Sequence, residues 1–240
     1  MSLRIIDSSN PSFAEVAQLG LAAQGFYQGK IDGRFGPMSI AALEAYEQLN
    51  RYAGISRLAP CPTEAQAWDL KQLVKAWQER YAVYHEIAVR ADVPPELVAA
   101  LHKRECDSKS DRYLHNGDHL GWPTINVPAG INFPNTPQGF LDAAVDALTV
   151  NAKPARTASG ITFATTELTR LCTFAEYFNG LGYLKRGLPS PYVLAGTTGY
   201  TSGKFTSDHG YDASVVDTQL GVLLMFWAIR ALPEPATTIA

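Results

Sequence analysis

The sequence lacks most of the signals that assign a chemistry at sight. Its 240 residues hold three cysteines, Cys61, Cys106 and Cys172, an odd number at wide spacing. That excludes a full disulfide framework and any metal-type cysteine pattern, and it favours three reduced, largely buried thiols. An excess of positive charge is lacking too. Lys and Arg number 20 against 23 Asp and Glu, a net charge of -3. This argues against nucleic acid as a partner, because phosphate binding needs clustered cations. No hydrophobic run is long enough to cross a bilayer: the most apolar stretch, residues 220–232, contains Arg230 and is too short, so no membrane insertion is expected. Residues 1–7 show no continuous apolar segment, so the chain is expected to be made in the cytoplasm without a signal peptide. There is no Gly-x-Ser-x-Gly elbow, phosphate-cradling loop or His-Glu-x-x-His pair. No cofactor and no metal are expected.

What is present is an ordinary globular composition, 46% hydrophobic and 18% charged, enough to bury a core. The length suits a small module joined to a larger domain. In residues 12–52, Phe13, Val16, Leu19 and Leu21 predict an amphipathic helix. Four glycines, Gly25, Gly29, Gly33 and Gly36, then punctuate apolar residues and demand tight turns. Pro37 opens a second helix carrying Ile40, Leu43 and Tyr46 at helical spacing. Residues 54–63 read as a linker, with Thr63 placed to cap the helix after it. Residues 64–90 read as a connecting helix with Trp68, Leu73, Trp77, Tyr81, Tyr84 and Val89, and 92–107 as a further helix behind Pro94 and Pro95.

Residues 111–135 are rich in Gly and Pro and predict a loop lobe with a small hairpin. Helical patterns return at 138–150, 165–178 and 213–231, and 179–212 reads as irregular. The expected fold is mainly α with a short β/loop lobe. The expected division is a module at 1–53, a linker and connecting helix at 54–80, and a larger domain at 81–240. A monomer is expected.

Glu105 is the leading candidate for chemistry. At 100° per residue it lies about 40° round the helix from Leu101 and about 20° from Val98, on the face these residues turn inward. An unpaired carboxylate on such a face is costly, so Glu105 must be paired, protonated or placed at a cleft. Its position at a helix end suits a partly desolvated general acid. A salt bridge or capping contact, for instance with Arg112, is the plainer alternative. Asp118, in the turn-rich 113–121 segment, is a candidate second carboxylate, with a hairpin turn as the alternative. His115 and His119 are four apart, but Gly117 disfavours a helix there and nothing completes a zinc ligand set. The string 207–212, with Asp208 and His209, completes none either. Tyr177, Asn179, Tyr183, Tyr192, Tyr200 and Tyr211 supply aromatic faces and an amide of the kind that line sugar clefts; a packed tyrosine-rich surface is the alternative.

Two resemblances sharpen this reading. Residues 16–47 resemble the three-helix type of peptidoglycan-binding module. The carrying residues are Leu21, Gly25, Phe26, Tyr27, Gly29, Ile31, Asp32, Gly33, Phe35 and Gly36, then Ser39, Ala42 and Tyr46. Pro37, Ser39 and Glu47 depart from that pattern. The resemblance implies wall contact through Tyr27, Ile31, Asp32 and Phe35. Residues 81–232 resemble a lysozyme-like, soluble-lytic-transglycosylase-like domain of the phage endolysin type, on Ala99 to Glu105, Tyr113 to Asp118, Leu120-Gly121, Val127-Pro128, Asn179-Gly180, Gly182-Tyr183 and Ser190 to Tyr192.

That second resemblance implies a lysozyme-like α+β domain acting as a glycosidase on peptidoglycan glycan strands after release to the cell wall. Glu105 would be the catalytic acid. His115, Asn116, Tyr177, Asn179, Tyr183, Tyr192 and Tyr200 would hold substrate. Cys106 stands where the family has Ser after the catalytic Glu. The glycine-glutamine motif of lytic transglycosylases is absent, and the choice between hydrolysis, with Asp118 or Asp208 helping water, and transglycosylation stays open. A non-catalytic wall-binding protein is the rival from another class.

Overall fold

The structure is a computed structural model and describes residues 11–207, 210–233 and 235. The chain is mainly helical and divides into two compact units, Met1–Gly54 and Ile55–Ala240.

Among the described residues the first unit holds two helices, α1 (Pro11–Ala23) and α2 (Pro37–Arg51). Pro37 sits in the first turn of α2, where its missing N–H costs nothing. The apolar core is small: Leu21, Tyr27 and Ala42, with Phe26, Leu43 and Tyr46 against them. α1 does not turn inward the face its apolar spacing predicts. Phe13, Val16 and Leu19 are exposed, as is Ile40 on α2, and the buried residues of α1 are Ala14, Gln18 and Leu21. The reason is Gln18. Its Oε1 accepts from the backbone N–H of Asp32 and Gly33. Its Nε2 shares two hydrogens among Tyr27 Oη, Asp32 Oδ1, the Arg34 carbonyl and Ser39 Oγ, all at 3.0–3.2 Å. A buried amide that organises the glycine-rich turn takes the place of an apolar seam.

The second unit begins with a 3₁₀ turn, Ile55–Arg57, and continues into the 28-residue helix α3 (Glu64–Ala91). Thr63 caps α3 in a reciprocal capping box with Gln66. The helix runs unbroken through residue 80, where a boundary was expected. Leu73, Trp77, Tyr81, Tyr84 and Ile87 form its buried face, while Trp68 and Val89 point outward. α4 (Pro95–Cys106) and α5 (Pro137–Thr149) both pack against α3, and the rings of His102 on α4 and Phe140 on α5 meet at 4.9 Å. α6 (Lys153–Ser159) precedes α7 (Leu168–Asn179), the short helices α8 (Gly182–Lys185) and α9 (Pro191–Leu194), and finally α10 (Val222–Arg230). α10 closes over α3, α4, α7 and α9. Leu97, Leu101, Phe174 and Phe226 are fully buried in this core.

Three details differ from the sequence expectation. The only strand pair among the described residues is β1 (Lys204–Phe205) with β2 (Tyr211–Asp212), antiparallel, and not in the 111–135 lobe. That lobe has a lone bridge, Arg112 to His119, and scattered backbone bonds such as Gly121 N–H to Phe133 O and Thr124 N–H to Ile131 O. Its three prolines remove the donors a ladder would need. The last helix starts at Val222 rather than near residue 213. Gly221, its N-cap, lies against the backbone of Val193 and Ala195 with no room for a Cβ. α6 was not foreseen, although Pro154 in its first turn and Gly160 at φ 58° after its end are the usual start and stop.

Candidate active-site cleft

Glu105 occupies the last turn of α4. Leu97, Val98 and Leu101, one and two turns earlier, anchor this helix in the core. His102 is locked between Tyr84 Oη and the Lys109 carbonyl, and its burial pulls the imidazole down to about 4. The helix ends where Asp107 and Ser108 take left-handed backbone angles, φ 52° and 57°. Gly117, at φ 77°, then folds back over the chain. A Cβ there would stand 2.7 Å from the Glu105 carbonyl oxygen, so only glycine lets the 113–118 loop lie against the end of α4. The same loop is tied by Cys106, whose thiol donates to the Tyr113 carbonyl at 3.2 Å. Cys106 thus makes a side-chain bond of the kind a serine would make there. Its burial, with the Glu105 charge next to it, raises the thiol and leaves it an inert tie.

The Glu105 carboxyl faces a cleft of about 600 Å³ built from α4, the 179–183 turn, α9 and the β1 region. Tyr192, buried in α9, donates its hydroxyl to Glu105 Oε1 at 2.5 Å. Among the described residues Glu105 makes no ion pair: Arg112 directs its guanidinium to the Gly117 carbonyl. Burial pushes the Glu105 carboxyl above the usual carboxylate range, opposed by the Tyr192 hydrogen bond and the neighbouring Arg104 charge. The group therefore keeps its proton to higher pH than an exposed glutamate does, which suits an acid.

Of the residues expected to hold substrate, Asn179, Tyr183 and Tyr192 line this cleft with Glu105. Tyr200 stands behind its wall, donating to the Gly203 carbonyl and accepting from the Asp217 N–H. Tyr177 is half-buried in α7 and does not line the cleft. His115 and Asn116 do not line it either. The His115 ring is buried with Nε2 3.0 Å from Asp146 on α5, and burial lowers its pKa despite that carboxylate. Asn116 donates to the Asn126 carbonyl. Asp118 clamps the loop beyond it: its carboxylate accepts from the N–H of Ile125 and Asn126 and from the Asn126 amide. The desolvation it suffers is outweighed by these bonds, so its pKa lies below the usual range. That is the work of a structural turn rather than of a carboxylate facing this cleft. Asp208 and His209 lie outside the described residues.

The sequence reading missed a charged cluster on the cleft floor. Arg104 lays its guanidinium over the Tyr192 ring, 4.8 Å to the centroid, and donates to Asp217 at 2.6 Å and to the Leu220 carbonyl. Asp217, buried, also takes the Lys204 ammonium at 3.0 Å. Its own burial would raise its carboxyl, but Arg104 and Lys204 hold it below the usual range. No short-range pattern joins residues 104, 204 and 217, and only the fold brings them together. Phe205 adds an aromatic face, edge-on to Tyr183 at 4.8 Å.

In the first unit, Tyr27 is buried with its hydroxyl on the Lys30 carbonyl, so it serves the core. Ile31 is exposed, Phe35 is half-buried, and the Asp32 carboxylate accepts from Gln18 and the Arg34 N–H. Among the described residues no group of three or more His, Cys, Asp and Glu is placed to hold a metal ion. His119 pairs with exposed Asp111 and does not converge with His115. All three cysteines are free thiols, Cys106 and Cys172 buried and Cys61 exposed. Among the described residues no helix is long and apolar enough to cross a membrane. Comparison with family models, with curated proteins and with solved structures gives no match.

Proposed function

We propose that this chain binds and cleaves the glycan strands of bacterial peptidoglycan, with Glu105 as general acid at the β-1,4 bond between N-acetylmuramic acid and N-acetylglucosamine. The observation that carries the reading is one carboxyl group, held above its ordinary pKa by burial, bonded to Tyr192 and opening onto a polar-aromatic cleft. Such a group can protonate a glycosidic oxygen as positive charge develops on the sugar carbon. Tyr183, Phe205 and Asn179 offer the stacking faces and the amide that pyranose rings and acetamido groups use. The first unit, whose Tyr-x-Gly-x-Ile-Asp-Gly-x-Phe-Gly run resembles a peptidoglycan-binding module, is assigned to wall attachment. The larger unit is assigned to the lysozyme-like class, and the site of action to the cell wall.

A second reading of the same site is favoured by one specific observation. Among the described residues lining the cleft, the carboxylate other than Glu105 is Asp217, and it is committed to Arg104 and Lys204. With no free carboxylate among those described residues to steer a water, the substrate's own 6-hydroxyl can close on the sugar carbon, directly or after the acetamido group has done so, as the glycosidic oxygen leaves with the proton of Glu105. The 6-hydroxyl proton passes to Glu105, which turns from acid to base. The product is then an anhydro-muramic end. Mass spectrometry of digested, purified wall tests both readings. Reducing ends mean hydrolysis and anhydro ends mean transglycosylation. Intact wall overturns the enzymatic reading, and equal digestion by wild type and Glu105→Gln removes Glu105 from the mechanism.

A further inference from the structure

The cleft carries two cations for every permanently ionised carboxylate among its described lining residues. Arg104, Lys204, Glu105 and Asp217 are the charged side chains there. Arg104 is almost wholly buried, with one nitrogen on Asp217, another on the Leu220 carbonyl and its face on Tyr192. Lys204 differs. Its side chain is 34% exposed, it reaches Asp217 through one bond, and an ammonium has three N–H to give. Asp217 neutralises one of the two cations, and Glu105 in its acid form neutralises neither. Among the described lining residues a positive surplus is left on Lys204, the cation of the two that can still reach a ligand, beside the rings of Phe205 and Tyr183.

We infer that Lys204 is a specificity-determining residue that binds a carboxylate on the muramyl side of the glycan, so that the cleft prefers anionic saccharides over uncharged ones. Asp217 makes the arrangement directional. It fixes the ammonium from behind, through a buried carboxylate that is itself held by Arg104, the Gln219 N–H and the fold around Tyr200. The remaining N–H groups are left for a ligand, since Lys204 lines the cleft and is partly exposed. A carboxylate entering there meets a half-desolvated, pre-positioned cation, where a charge-assisted bond is stronger than at an open surface. Two sources supply that chemistry: the lactyl group of muramic acid where the peptide has been removed, and the acidic residues of the stem peptide where it is present.

This inference deepens the proposed function and rests on it for the identity of the saccharide, but it is tested by binding rather than cleavage. The full chain carrying Glu105→Gln is titrated calorimetrically with three soluble muramyl-glucosaminyl tetrasaccharides. One has free lactyl carboxylates, one has them amidated, and one carries Ala-Glu stems. The expected result is about five- to tenfold tighter binding of a carboxylate-bearing ligand than of the amidated one. That preference should be abolished by adding Lys204→Gln and kept by Lys204→Arg. Tightest binding of the free lactyl form assigns the lactyl source, and tightest binding of the stem form assigns the peptide. Equal affinity for all three, or the same preference with and without Lys204, overturns the inference. Cleavage of wall by wild type is scored separately, so an inactive protein with a Lys204-dependent preference would refute the enzymatic reading and leave this one standing.

Discussion

The Tyr192 hydroxyl donates to Glu105 Oε1 at 2.5 Å, and these two side chains come from helices 87 residues apart in the chain. The bond tempers the acidity that burial imposes on the site. A hydroxyl donor stabilises the carboxylate form, so it opposes the burial that raises Glu105. Tyr192→Phe keeps the ring under Arg104 and removes only the donor. The alkaline limb of the pH–kcat/KM profile on soluble glycan should move to higher pH, with a loss of about tenfold or less at the acid optimum. A limb that stays put would separate Tyr192 from the acid. Glu105→Gln should cost about 10²–10⁴-fold at the acid optimum and progressively less up the alkaline limb, where wild type loses the same proton.

The same burial has a thermodynamic signature. The folded-state pKa of Glu105 is raised, so its stabilising share is complete below the unfolded value near 4.5 and is lost as pH climbs through the folded value. Glu105→Gln is neutral at all pH and escapes that loss. Its melting temperature should match wild type in acid and exceed it at neutral pH, the gap opening above about 4.5. Calorimetric melting at a series of pH values reads this directly.

Asp217 holds Arg104 and Lys204 together, with no solvent on its own side chain. Removing it strands a buried guanidinium. Asp217→Ala should lower unfolding free energy by about 3–5 kcal/mol, measured by urea denaturation of the full chain. A loss below about 1 kcal/mol would mean that Arg104 finds another partner.

Gly117 and Asp118 separate two roles of the loop after α4. Gly117→Ala must strain a φ of 77° and push a methyl toward the Glu105 carbonyl, costing about 1–3 kcal/mol and lowering activity with it. Asp118→Ala should instead loosen residues 121–131, seen as faster amide exchange there, while the Glu105-dependent pH limb stays where it is. A collapse of kcat with an intact loop would restore Asp118 as a second carboxylate.

Much of this was legible in sequence because local rules decide it. Thr63 as the cap of α3, Pro37 and Pro95 at helix starts, and the inward placement of Glu105 beside Val98 and Leu101 each follow from spacing over a few residues. Tyr192 and Asn179 stand out as cleft candidates by their aromatic and amide chemistry and by resemblance, but their distance along the chain hides their contact with the Glu105 cleft. His115 and Asn116 were read as cleft residues because polar side chains in a turn look alike whether they face a groove or brace a loop. The Arg104, Lys204 and Asp217 cluster left no signal, as three separate segments supply it. Gln18 escaped for the opposite reason: an amide amid apolar neighbours on α1 looks like the solvent face.

That amide has a consequence for how the first unit comes into being. Residues 25–36 contain no ladder or helix of their own, and the inward N–H groups at 32 and 33 find their acceptor on a side chain two turns into α1. Cut away as a short peptide, this glycine-rich stretch would be an open chain with nothing to wind around. The helix is the mandrel, and the glycine-rich loop keeps its form only while it is there.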